Sequence, residues 1–490
     1  MKLRIFAMLL CLVLLVGALA ACAQSGNEQQ ATQATEQEEQ WVSASLDPSK
    51  LSTELAGQEI VILANCEYDI GPEENSSEPL EDAVYKRNDK LETFYGFKFN
   101  NSYDTSFDNI ALAVKNDTAA GTGEYNIVYQ HMVNAAYNLA LNGYLYDLSQ
   151  LEYVDFDQIW WDQDCKNGFM IGDNMMVVCG DLLPSTMLIT ATVVFNKDLF
   201  DERGWDYPYQ DARDGTWTLD DMLTLTKEQT KDLSGDGKIN YQDDFYGLVG
   251  WSLDCDYNFF FGSGCTMFTF DDDHLPVYDV NADRLQTVYD KVYQLIVTQQ
   301  SFHVTVAQYL ADNSMFQQPD NVFKSGRALF FATDLNKCVA LKDMEDNYGM
   351  LPHPKYDEKQ AEYLSFVNGA ASMVIVPKSL SDDKLAVSGY MMEALASSSY
   401  YMVTDTLYEK IAKSKTARDP ESAEMVDVII RNKVFDFGYS HFHSKGLPCA
   451  SIFQTALNAE QASIVRNITS GQKSTVKELK KVYAAYGYEY

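Results

Sequence analysis

From Gln58 onward, short apolar runs alternate with longer stretches whose apolar residues recur every three or four positions, and this alternation constrains the fold more than any other feature. A run of four to eight apolar residues has the length of a strand buried on both faces, whereas the three-four period marks a helix with one buried stripe. Residues 60–64 predict the first strand. Leu80, Val84, Leu91 and Phe94 then predict a helix, as do Phe107, Ile110, Ala111 and Val114. Further strands are expected at 126–129, 175–178, 190–195, 328–332, 348–351 and 372–376. The clearest helix is expected over 284–299, where Leu285, Val288, Tyr289, Val292, Leu295 and Ile296 form one stripe. Such an α/β rhythm predicts mostly parallel sheets covered by helices. A chain of 490 residues exceeds what one core usually fills, so two lobes are expected. Ligands of open α/β sheets sit at the carboxyl ends of strands, and two lobes face to face would enclose a cleft.

The N-terminus carries Lys2 and Arg4, an apolar run over 5–21, and then Cys22, the layout of an export signal over residues 1–21. The tetrad Leu19-Ala20-Ala21-Cys22 resembles the lipobox of bacterial lipoproteins, which implies a palmitate-type diacylglyceryl anchor on Cys22. Residues 23–40 hold no Lys, Arg, Pro or aromatic side chain, so residues 22–50 are expected to form a disordered tether. The mature chain is expected on the outer face of the cytoplasmic membrane.

Lys and Arg number 37 against 71 Asp and Glu, a net charge of −34 that repels nucleic acid and excludes it as a partner. Seven cysteines remain after Cys11 and Cys22, and no pair has CxxC spacing, so neither a zinc ribbon nor a dithiol redox site is supported. Buried free thiols are expected, with a Cys255–Cys265 disulfide left open.

Several segments, in order, resemble the bacterial extracellular solute-binding protein family 1, lipoprotein receptors of carbohydrate ABC transporters related to the maltodextrin-binding proteins. They are Val194-Phe-Asn-Lys-Asp-Leu-Phe200, Thr216-Trp-Thr-Leu-Asp-Asp-Met222, Phe323-Lys-Ser-Gly-Arg-Ala-Leu-Phe330, Tyr348-Gly-Met-Leu-Pro-His-Pro354 and Gly369-Ala-Ala-Ser-Met-Val-Ile-Val-Pro377. The resemblance implies a two-lobe periplasmic-binding-protein-like fold with a multi-crossing hinge. Lobe one would hold 55–178 and 353–405, and lobe two 179–352 and 406–490. It also implies a monomer that captures a small ligand, a sugar or oligosaccharide, and delivers it to permease subunits. The competing readings are a surface glycan-binding protein uncoupled from transport and a glycoside-processing enzyme. No GxSxG, HExxH, P-loop or GxGxxG motif supports catalysis.

The expected strand ends carry Asn65, Glu67, His131, Trp251, Asp254 and Asp334, and in the resembled family such positions line the interlobe cleft. Acids and amides would bond sugar hydroxyls there while rings stack on sugar faces. A separate motif runs from Asp232 to Asp243. Asp232, Ser234, Asp236, Asn240 and Asp243 place side-chain oxygens at loop positions one, three, five, nine and twelve, and Lys238 would offer its carbonyl. This is the EF-hand calcium pattern, with Asp in place of the closing Glu, and it predicts a structural calcium ion. His441-Phe-His443 would set two imidazoles on one face of a strand, but no third ligand is identifiable and no metal is expected there. Asp271-Asp-Asp273 reads as a solvated turn.

Overall fold

The computed structural model describes residues 40–43, 46, 55–412 and 419–490. The leader, Cys22 and residues 23–39 lie outside the described residues. Within the expected tether, Trp41, Ser43 and Leu46 are packed onto the body. Trp41 meets Phe94 edge-on at 5.2 Å, Ser43 donates its amide to Ser397 Oγ at 3.0 Å, and Leu46 is buried. Trp41 is the first large apolar side chain after Cys22, so docking starts where the chain first has area to bury.

The described residues form thirteen strands: β1 Glu59–Ala64, β2 Lys98–Tyr103, β3 Ile127–His131, β4 Ala191–Asn196, β5 Tyr246–Trp251, β6 Phe268–Phe270, β7 Pro276–Tyr278, β8 Phe302–Val304, β9 Ala328–Asp334, β10 Tyr348–Leu351, β11 Ser365–Phe366, β12 Ser372–Ile375 and β13 Lys433–Val434. The first sheet has the order β12-β3-β1-β2 and the second β10-β4-β9-β5-β8. In the first, β1 runs parallel to β2 and β3, and only β12 is antiparallel. The second is evenly split. β5 runs parallel to β8 and β9, while β4 runs antiparallel to β9 and β10. The antiparallel members are those reached by a crossing between sheets, because a chain arriving from the other lobe enters from the opposite end.

Local chemistry sets the boundaries. Asn196 ends β4 and caps the next helix, Lys197–Arg203, by accepting the Leu199 amide at 3.0 Å. Thr218 and Asp221 form a capping box at the helix Leu219–Thr226. The helix Gln318–Lys324 ends in a turn at Gly326, whose φ of +70° and closeness to Asp346 suit only glycine, and β9 follows at once. The stripe expected over 284–299 is an α-helix at Ala282–Tyr293 continued by a π-helical turn at Gln294–Thr298.

The second sheet is buried on both faces. Phe195, Leu248 and Phe330 face one core, and Val194, Val249 and Phe331 face another, the period of two expected of strands. Ile452, Phe453, Leu479 and Val482 from the C-terminal helices join the first of these cores. The core of the first sheet includes Val374 of β12 and Tyr390 and Leu395 of the helix Asp382–Met402.

Two expectations are corrected. Residues 175–178 form no strand, and only Val178 bridges Val374, because the chain then turns so that Cys179 accepts the Asp162 amide. His441 and His443 lie on a helix, Phe437–Phe442, and the turn after it, not on a strand, because Asp436 caps this segment at the Tyr439 amide. The described cysteines, Cys66, Cys165, Cys179, Cys255, Cys265 and Cys338, are free thiols, as expected, and the Cys255–Cys265 bridge that had been left open is not formed. Asp271–Asp273 is an exposed turn, as expected. Among the described residues, no helix is long and apolar enough to cross a membrane.

Candidate functional site

Strand direction assembles the site. β5 and β9 run parallel with Gly250 beside Ala332, so their carboxyl ends deliver Trp251, Thr333 and Asp334 to one edge of the second sheet. β5 then enters the turn Leu253–Tyr257, which carries Asp254 back over the strand. Gly250 makes that return possible, since a Cβ there would stand 2.6 Å from Cys255 Sγ and 2.8 Å from the Ala332 carbonyl. Asp334 leaves β9 as the cap of the helix Leu335–Ala340, accepting the Lys337 amide at 2.9 Å. From the first sheet, β3 ends at His131, whose ring lies 4.3 Å from Phe107.

These ends meet across a cleft of about 1290 Å³. His131, Phe107 and Tyr68 line it from the first-sheet side, and Trp251, Asp254, Thr333 and Asp334 from the second. Four of the six expected ligand residues, His131, Trp251, Asp254 and Asp334, therefore share one cavity. Asn65 and Glu67 do not line it. Asn65 accepts a hydrogen bond from Ser372 Oγ at 3.1 Å, and Glu67 is exposed in the first turn of a short helix, Glu67–Ile70.

The wall around Trp251 is aromatic. Its ring centroid lies 4.3 Å from Phe316, nearly perpendicular, and 5.2 Å from Tyr309. Tyr309, Phe316 and Lys337 were not singled out by sequence. Tyr309 sits on a helix, Val306–Ala311, with no buried residue, opened by a Thr305–Gln308 capping box. That box opening a short helix that carries Tyr309 and no core stripe, with Phe316 on the turn after it, is the signal that could have marked them.

Polar groups here lack protein partners. The Thr333 hydroxyl and the Trp251 indole N–H are buried without a hydrogen bond, as is His131 Nδ1. Burial holds the His131 imidazole neutral, pushed down to about 4, and the nearby His443 adds to this. Burial also pushes the Asp334 carboxyl up to about 6, and raises Asp254 well above the usual range with the Asp334 charge reinforcing it. His443 lines the same cleft, with Nδ1 at 3.2 Å from the Tyr257 hydroxyl, while His441 is buried against Phe437. The two imidazoles thus serve different surroundings and do not form a metal pair.

At the 232–243 loop, the Asp232 carboxylate accepts the amides of Gly235 and Gly237 at 2.6 and 2.7 Å. Asp236 accepts the Lys238 amide and Asn240 that of Gln242. Asp243 is exposed, and the buried carboxylate that closes the loop is its neighbour Asp244, which accepts the Leu233 and Asn240 amides at 2.8 Å each. The oxygen donors suit a hard cation in type, yet their lone pairs are turned to the loop's own amides. Among the described residues, no group of three or more His, Cys, Asp or Glu side chains is gathered to hold a metal.

No protein-family profile and no curated protein matches the chain. Solved structures do. The ABC substrate-binding protein Lmo0181 from Listeria monocytogenes, in complex with cycloalternan, is 14% identical with a TM-score of 0.52, over 88% of this chain and 100% of that one. A cyclo/maltodextrin-binding protein complexed with maltotetraose gives 14% identity and 0.55 over 88% and 97%. The GacH receptor of Streptomyces glaucescens, described with acarbose, gives 15% and 0.54 over 86% and 99%. At this identity the likeness establishes a shared fold, that of two-lobe ABC solute-binding proteins.

Proposed function

We propose that this chain is an exported, lipid-anchored receptor that captures a carbohydrate in the cleft between its two sheets and hands it, chemically unchanged, to an ABC permease. The observation that supports this most is the cleft itself, which draws an aromatic wall, two carboxylates and unpartnered polar groups from the strand ends of both sheets. Rings cover sugar faces, and buried donors and acceptors fix sugar hydroxyls. The division into 55–178 with 353–405 and 179–352 with 406–490 belongs to the same proposal, as do anchoring through Cys22 and action outside the membrane.

Closure follows from contacts on both sides. A ligand touching His131 and Trp251 together gains more in the closed form than in the open one, and only that difference drives the lobes together. The side chains present bind and orient, and the reading assigns no catalytic residue. Calcium at the 232–243 loop is a separate proposal resting on the loop sequence, with Asp232, Ser234, Asp236, Lys238, Asn240 and Asp243 as its holders.

A thermal-shift screen of mono- and oligosaccharides tests the receptor reading, since a ligand bound only by the folded chain raises the melting midpoint. A hit recovered unaltered after prolonged incubation supports it. Conversion of the sugar to a product, or no shift with any sugar, overturns it.

A further inference from the structure

The second-sheet side of the cleft has a charge imbalance that a neutral ligand leaves unanswered. Asp254, Asp320 and Asp334 act on one another there, and the cation acting on all three is Lys337. Lys337 also shows what this environment accepts, because its ammonium lies 4.3 Å from the Phe316 ring centroid and 2.7 Å from Asp320 Oδ2. Lys410 is engaged with Glu78 at 3.1 Å, and Lys324 and Lys342, which also line the cleft, are not among the charges that act on Asp254. The neighbours that feel the Asp254 charge are Cys255, Asp256 and Tyr439, none of them a cation.

A second observation points to a ligand at the same place. Thr333, next to Asp334 on β9, is 0% exposed, lines the cleft, and has a hydroxyl without any partner. A buried hydroxyl is costly to leave unpaired, so the site is built to meet a polar group. The three rings, Trp251, Tyr309 and Phe316, stand at steep mutual angles of 49°, 77° and 59°. They form inclined walls rather than a single stacking platform, and inclined aromatic faces beside a carboxylate attract a cation through the ring quadrupole.

We propose, on the basis of the sugar-receptor reading above, that the preferred ligand carries an ammonium group, an amino sugar held where the Trp251, Tyr309 and Phe316 walls meet the Asp254 and Asp334 carboxylates. The ammonium supplies the second positive charge to the three-acid group, and its N–H donors reach the acids while the sugar hydroxyls meet Thr333. A proton is linked to this event. In the free protein, burial and the Asp334 charge favour the protonated Asp254 carboxyl, and an incoming ammonium favours its carboxylate. Binding therefore releases a proton, and affinity rises with pH over the range in which the free Asp254 carboxyl holds its proton and the ligand keeps its ammonium.

The test is calorimetry on the full chain with glucosamine and its disaccharide, their N-acetylated forms, and glucose with its disaccharides, in two buffers of different ionisation heat. The amino sugars are expected to bind about tenfold more tightly than their neutral counterparts and to release a proton. Asp254→Asn, of the same shape and checked for folding by its melting curve, is expected to lose both the preference and the proton release. Equal or tighter binding of the neutral partner overturns the inference and leaves the receptor reading standing. So does an intact preference in Asp254→Asn. Binding by none of the sugars overturns both.

Discussion

Asp69 offers the sharpest test of how the crossings between the sheets are held. It is fully buried in the helix Glu67–Ile70, and it accepts both the amide and the hydroxyl of Ser185, at 3.0 and 2.6 Å. Ser185 Oγ lies 2.9 Å from Ser372 Oγ, and Thr186 donates to the Ser372 carbonyl at 2.6 Å. One carboxyl thus ties the segment entering β4 to the start of β12. Burial outweighs the Ser185 bonds and the Arg87 charge, and lifts this carboxyl from 3.8 to about 6. The sign follows from proton binding. Between those values the folded chain holds a proton that the unfolded chain has lost, so the stability Asp69 contributes is complete below about pH 4 and lost as pH rises through about 6. A shift of about two units corresponds to at most about 3 kcal/mol. Asp69→Asn mimics the protonated form and removes the pH dependence. Near pH 4.5 the variant is expected to cost about 1 kcal/mol, from one reoriented hydrogen bond. By about pH 7.5 the penalty is expected to vanish or invert. Urea unfolding of both proteins across this range measures the difference. A penalty that is constant, or that grows with pH, refutes the reasoning.

Trp251→Ala should weaken binding of a sugar hit about tenfold through loss of a stacking wall, measured by calorimetry, with the melting curve of the free protein as control. Chelation should lower the melting temperature if calcium holds the 232–243 loop, since a hundredfold excess over Kd is worth about 2.7 kcal/mol, and Asp236→Ala should remove the response. Unchanged melting in both cases reduces the loop to an Asx-rich turn. Cys22→Ala should release the protein into the medium or leave it unprocessed, read by fractionation and mass. Full membrane retention of a processed variant counts against the anchor.

What could be read from the sequence follows how local each signal is. β10 and β12 were found almost to the residue because their apolar runs are buried on both sides, and the helix Phe107–Ala120 because its stripe is local. β2 was missed because Lys98–Tyr103 is an edge strand, largely exposed and polar, with no apolar run to see. In the cleft, His131, Trp251, Asp254 and Asp334 were reachable because strand ends are places where ligands sit. Glu67 failed by the same rule, since the chain turns into a helix at Cys66 and leaves it outside. Tyr309 and Phe316 reach Trp251 from about 60 residues away in the chain, a contact that only the folded chain creates.

The placement of β12 has a consequence for the order in which the chain can fold. Its Val374 pairs with Tyr129 of β3, so the first sheet acquires its edge partner only after the whole intervening span has emerged. A nascent chain therefore carries β1, β2 and β3 with one flank open while the other sheet is still arriving. Contacts so distant in sequence close slowly, because their entropy is spent before any packing rewards it. The contact of Ser372 with Ser185 can form only once β12 has arrived, so it belongs to the late steps of folding.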